Sequence, residues 1–134
     1  MRQKNLLYIL IPLFAIIISL LAYSAKTRQS EDKNITIGVV TPLTGETAIH
    51  GIRVKHGIEL AVEEINGTGG VDGKKLVVSY EDSQCDPAKA TASAHKLLSE
   101  GIQVLLGPQC SSEAMAVAPI AEENKIVMFT SIAS

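Results

Sequence analysis

From Ile35 onward, short unbroken apolar runs alternate with longer stretches in which apolar side chains recur every third or fourth position. "ITIGVV" (35–40) is apolar and rich in β-branched residues, the pattern of a strand covered on both faces. Between Gly51 and Asn66 a helical stripe carries Val54, Ile58, Ala61, Val62 and Ile65, opposite Arg53, Lys55, Glu59, Glu63 and Glu64. Glu59 and Glu63 then share a solvated face and do not form a catalytic pair. "NGTGGVDGKK" breaks this helix, with Gly67 as its stop and "VDG" as a tight turn, and leads into a second strand, "KLVVSYED" (75–82). Asp86 reads as the N-cap and Pro87 as the first residue of the next helix, which Gly101 ends. "IQVLLG" (102–107), a helix from Ser112 to Asn124 and a strand "KIVMFT" (125–130) complete the order β-α-β-α-β-α-β.

Strands separated by helices run parallel with right-handed crossovers, so the fold class is α/β, a doubly wound parallel sheet. Ligands of such sheets sit beyond the carboxyl ends of the strands, near the point where strand order reverses. The loops on that rim are 42–50, 83–87, 108–112 and 131–134, and the chemistry is expected there.

The start of the chain differs in character. Arg2 and Lys4 precede an uncharged apolar run, Leu6 to Leu21, followed by "AYSAK". Residues 1–25 therefore read as an export signal or, if uncleaved, as an N-terminal membrane anchor. Residues 26–34 form a polar tether, and the globular part occupies 35–134. Without Arg2 and Lys4 the chain keeps ten basic side chains against fourteen acidic ones, a balance that argues against nucleic acid or an anionic membrane surface as partner. Membrane contact is expected only through the N-terminal segment.

The only cysteines, Cys85 and Cys110, each follow a strand on the same rim, and in an exported chain they read most simply as one disulfide. The alternatives are a nucleophilic Cys110 at a helix amino end and a metal site. A nucleophile needs a general base, yet His56 and His95 fall on helices, facing solvent, and only His50 lies in a rim loop. Two cysteines and one histidine at these separations match no compact ligand spacing, so no metal is expected. The cluster "GTGGVDG" follows a helix and precedes a strand, the reverse of a phosphate cradle, so no nucleotide cofactor is expected either. Ser111 and Ser112 stand between strand and helix, where one can cap while the other faces outward toward a carboxylate-sized ligand. Ser131 and Ser134 add hydroxyls from the adjacent loop. Asn34 and Asn66 each open an N-x-T sequon.

"IGVVTPLTGETAIHG", "AVEEINGTGGVDGKKLVVSYEDSQCDPAKA" and "LLGPQCSSEAMAVAPIAEENKI" together resemble the leucine/isoleucine/valine-binding family of periplasmic solute receptors. The resemblance runs from about Ile35 to Ser134, and its specific elements are "INGTGGVDGKKL", the D-x-x-C-D-P turn and the G-x-x-C-S-S loop. It implies a non-enzymatic, two-lobed receptor outside the cytoplasmic membrane that captures a small amino acid and delivers it to an ABC permease. It also implies a Cys85–Cys110 disulfide, a Ser111 contact to the ligand carboxylate, an Ile132 carbonyl for the ammonium, and a hydroxyl and amide from Ser134. His50 takes the place of an aromatic residue that packs on the solute's side chain. Four strands make up only part of the first lobe, so the expectation is an N-terminal portion that binds weakly by itself. A sensor of the same fold, reading amides, urea or amino acids, is the alternative.

Overall fold

A computed structural model describes residues 34–131. The expected signal or anchor (1–25), the tether up to residue 33, and Ile132 and Ser134 lie outside the described residues. Among the described residues no helix is long and apolar enough to cross a membrane.

The elements follow the expected order: β1 (Asn34–Thr41), α1 (Ala48–Gly67), β2 (Lys75–Asp82), α2 (Pro87–Ser99), β3 (Val104–Leu106), α3 (Ser111–Glu123) and β4 (Val127–Phe129). They build one four-stranded sheet, in the order β2-β1-β3-β4, with every pairing parallel. The chain moves from β1 to β2 in one direction and from β2 past β1 to β3 in the other. Right-handed crossovers therefore place α1 on one face and α2 and α3 on the opposite face, where these two helices pack together.

The α2–α3 face holds the core. Val40, Ala90, Ala94, Leu97, Ile102, Leu105 and Val117 are buried there, with Ile126 and Met128 packed against them. The α1 face is thinner. Val54, Ile58, Val62 and Ile65 are only half-buried and Ala61 is exposed, because one helix cannot cover four strands. Val127 and Phe129, alternate residues of β4, keep 64% and 62% of their surface in solvent on that side.

Several boundaries differ from the sequence reading. β1 begins at Asn34, paired with Lys75, α3 spans Ser111–Glu123, and α1 begins at Ala48 rather than Gly51, so His50 stands in its first turn and not in the preceding loop. β3 and β4 are three residues long rather than six, since only Val104–Leu106 pair with Ile37–Val39 of β1 and only Val127–Phe129 pair with Val104–Leu106. Ile102 is buried, but its amide turns back to the Leu97 carbonyl (3.4 Å) and so closes α2 instead of extending β3. That bond, with Gly101 N–H to the Leu98 carbonyl at 2.9 Å, is a Schellman ending. α1 ends the same way through Gly69 and Gly70, which bond to Asn66 (3.3 Å) and Ile65 (2.9 Å), so its stop is Gly69 and not Gly67. α3 repeats the motif with Lys125 (φ 55°) in the left-handed position, at a cost of about 1 kcal/mol that a glycine would avoid. The Asp86 cap forms as expected, its carboxylate accepting the Lys89 N–H at 2.9 Å with Pro87 opening α2.

Asn66 has a structural task that its sequon did not suggest. Its side-chain amide donates to the Leu76 carbonyl at 2.9 Å and accepts the Leu76 N–H at 2.8 Å, which ties the end of α1 to the outer edge of β2.

Candidate functional site

Strand order reverses between β1 and β3, and the loops that leave these two strands diverge at their carboxyl ends. In the gap lies a cavity of about 250 Å³ lined by Pro42, Thr47, His50, Gln109 and Cys110. Gln109 also borders a second cavity, of about 140 Å³, beneath α1, with Val54, Ile58, Leu106 and Phe129 among its walls and Ser131 at its edge. A shallower depression of about 610 Å³ lies at the opposite rim, around Gly101, Lys125 and Val127; among the described residues Lys125 is the one charged group that lines it.

His50 reaches the cavity because of its neighbour. Gly51 is fully packed in the first turn of α1, and a Cβ at that position would stand 1.8 Å from the Pro42 carbonyl oxygen. Only glycine lets the helix start this close to the end of β1, and this contact sets His50 above the rim.

Cys85 and Cys110 are joined, with Cα atoms 5.7 Å apart. The strands that carry them are not neighbours, for β1 lies between, and alternate strands are about 9.6 Å apart. The two loops therefore lean toward each other over the end of β1. The residues beneath, Thr41, Pro42 and Ser83, are fully buried. Cys85 makes this reach from a left-handed backbone (φ 59°), following Gln84 at 53°, in a turn closed by Asp86 N–H to the Ser83 carbonyl at 2.9 Å. The disulfide also takes the thiol that a nucleophilic Cys110 would have used.

Cys110 occupies the N-cap of α3, so neither Ser111 nor Ser112 is the cap; they are the first two helical residues. Glu113, in the third helical position, is fully buried and accepts the Cys110 N–H at 3.2 Å. Its other carboxylate oxygen has no hydrogen-bond partner among the described residues. The arrangement complements the positive end of the helix from within and holds Ser111 at the rim.

A polar network joins the loops after β1 and β2. The Asp82 carboxylate accepts the Leu43 N–H at 2.8 Å, the Thr44 hydroxyl at 2.5 Å and the Gln84 N–H at 3.1 Å, while the Gln84 side chain donates to the Thr44 hydroxyl at 2.8 Å. Burial alone pushes the Asp82 carboxyl up, but the bonds from the Thr44 hydroxyl and the Leu43, Gln84 and Thr44 amides outweigh it and leave the group below its ordinary value. The unfolded chain then binds a proton where the folded one does not. The network's stabilisation is present above the unfolded value, about 3.9, and is lost as pH falls through the lower folded value. Urea midpoints measured from pH 7 to pH 2 should fall less steeply at the acid end for Asp82→Asn than for the parent. Parallel profiles would remove Asp82 from the pH response.

Of the residues singled out by sequence, the structure gathers His50, Cys110 and Cys85 on one rim, with Ser111 following Cys110. His56 and His95 are exposed on helices, as expected. Gln109, Glu113 and the Asp82–Thr44 pair were not anticipated. A signal existed for Glu113, since Cys110-x-x-Glu113 has capping-box spacing with cysteine in the place of serine.

The sequence profile of a family described as "Periplasmic binding protein" matches residues 34–134. A Leu/Ile/Val-binding protein of Rhizobium johnstonii is 39% identical over 101 residues, covering 75% of this chain and 28% of that protein. A branched-chain amino acid transporter substrate-binding protein from Streptococcus pneumoniae, solved in complex with isoleucine, superposes with a TM-score of 0.73 at 29% identity, over 76% of this chain and 30% of that one. An ABC transporter solute-binding protein from R. palustris, in complex with 4-hydroxybenzoate, gives 0.69 at 32% identity, over 75% and 27%. The chain thus spans about 28% of the length of the curated relatives it matches. From Asn34 onward, the parallel sheet, the rim cavity at its switch point and these matches agree: the chain belongs to the periplasmic binding protein family.

Proposed function

We propose that this chain forms part of the first lobe of an extracytoplasmic receptor for a small amino acid, non-enzymatic and serving an ABC permease. The observation that carries the reading is the cavity between the β1 and β3 loops, placed at the amino end of α3. A carboxylate seated there meets the positive end of the helix and the Ser111 hydroxyl. The two solutes named for the structural relatives, isoleucine and 4-hydroxybenzoate, differ in everything but a carboxylate, which supports an anchor of this kind. In the same reading the Ile132 carbonyl takes the ammonium, Ser134 adds a second hydroxyl and amide to the carboxylate, and His50 borders the solute's side chain. The names of the relatives make branched-chain amino acids the first class to test.

Calorimetric titration with leucine, valine, alanine and glutamate tests the reading directly. Ser111→Ala should weaken binding of whichever solute is held by about 1–3 kcal/mol, because a charge-assisted hydrogen bond is lost. An unchanged affinity would take Ser111 out of the site.

A further inference from the structure

The wall of the cavity that faces the solute's side chain is not hydrocarbon alone. Gln109 is half-buried between the 250 Å³ and 140 Å³ cavities, and its side-chain amide makes no hydrogen bond among the described residues. It is also held in place. Pro108 before it is fully buried and its carbonyl accepts the Thr130 hydroxyl at 2.7 Å, while Cys110 after it is fixed by the disulfide. Its backbone is therefore set before any solute arrives, which lowers the ordering cost of a contact. His50 and Thr47 line the same cavity and bring an imidazole and a hydroxyl, and among the described residues no lysine or arginine borders it.

We propose that this cavity selects an amino acid whose side chain ends in a neutral hydrogen-bonding group, a carboxamide above all, over a branched aliphatic one. The inference rests on the carboxylate reading of α3 given above and narrows it. A carboxamide matches the amide of Gln109 donor to acceptor and acceptor to donor. A leucine side chain would instead remove water from that amide and leave both of its ends unpaired. Sites built to hydrogen-bond a solute reject analogues that lack the group far more strongly than apolar pockets reject a change of size. A carboxylate side chain would find no lysine or arginine in this wall among the described residues, so glutamate should rank below glutamine.

The test is titration of the isotopically labelled, oxidised full chain with glutamine, glutamate and leucine, read at the backbone resonances of Gln109, Cys110 and Ser111 and at the Gln109 side-chain amide. Glutamine should bind about tenfold more tightly than leucine, the ratio expected when one buried polar group is left unpaired. Gln109→Leu should reverse that order. If leucine binds the parent chain as well as glutamine does, or if Gln109→Leu leaves the order unchanged, the selectivity is overturned while the carboxylate site stands. If none of the three solutes moves the Cys110 and Ser111 resonances, the carboxylate site and the selectivity are overturned together.

Discussion

Replacing Cys85 and Cys110 together by serine should lower stability by about 3.5 kcal/mol, the loop-closure value for a bridge with a sequence separation of 25. The effect is large because the bond crosses over β1. Without it, two loops that leave strands about 9.6 Å apart have no covalent reason to meet above Thr41 and Pro42. Both of those residues, and Ser83, are fully buried, and the Thr41 and Ser83 hydroxyls have no hydrogen-bond partner among the described residues, so loosening the clamp lets water reach them. The loss should therefore appear first at the rim. The urea midpoint should fall, and hydrogen exchange should quicken in the loops 83–87 and 108–112 before it quickens in the Leu97–Leu105 core. Dithiol reduction of the parent should reproduce both changes. A double variant with the parent's midpoint would show that the bond across β1 adds nothing to stability.

The order of elements, the parallel sheet and the rim on which the sulfurs meet were legible because they depend on patterns that short windows carry: continuous apolar strands, the Asp86-Pro87 start and the Gly101 stop. What escaped depended on partners distant in sequence. The short β3 and β4 follow from the register of β3 with β1 and of β4 with β3, which no window of the sequence contains. The half-burial of the α1 stripe follows from how many strands one helix must cover. Ala61 satisfies the helical period yet stays in solvent. Gln109 carries no signal in the sequence, because its significance lies in the cavities on either side of it, and these exist only once α1 is set against the sheet. Glu113 is illegible for a different reason, since a charge in the first turn of a helix usually stands in solvent as a partner of the dipole, and here it is fully buried.

Gly51→Ala should destabilise the fold by about 3 kcal/mol, although alanine is the better helix former by about 1 kcal/mol. The added Cβ would lie 1.8 Å from the Pro42 oxygen, 2.7 Å from its carbonyl carbon and 2.8 Å from the Thr41 hydroxyl. Neither residue can yield easily, because Thr41 and Pro42 are both fully buried under the disulfide clamp. The first turn of α1 must then lift away from β1 and carry His50 with it, so the variant should lose solute affinity as well as stability. Gly57 supplies the control within the same helix. It is exposed, its Cβ would meet nothing within 4 Å, and Gly57→Ala should stabilise by up to about 1 kcal/mol through helix propensity alone. Opposite signs at two glycines six residues apart would separate close backbone approach from propensity, whereas a stabilising Gly51→Ala would show that α1 does not need that contact to position His50.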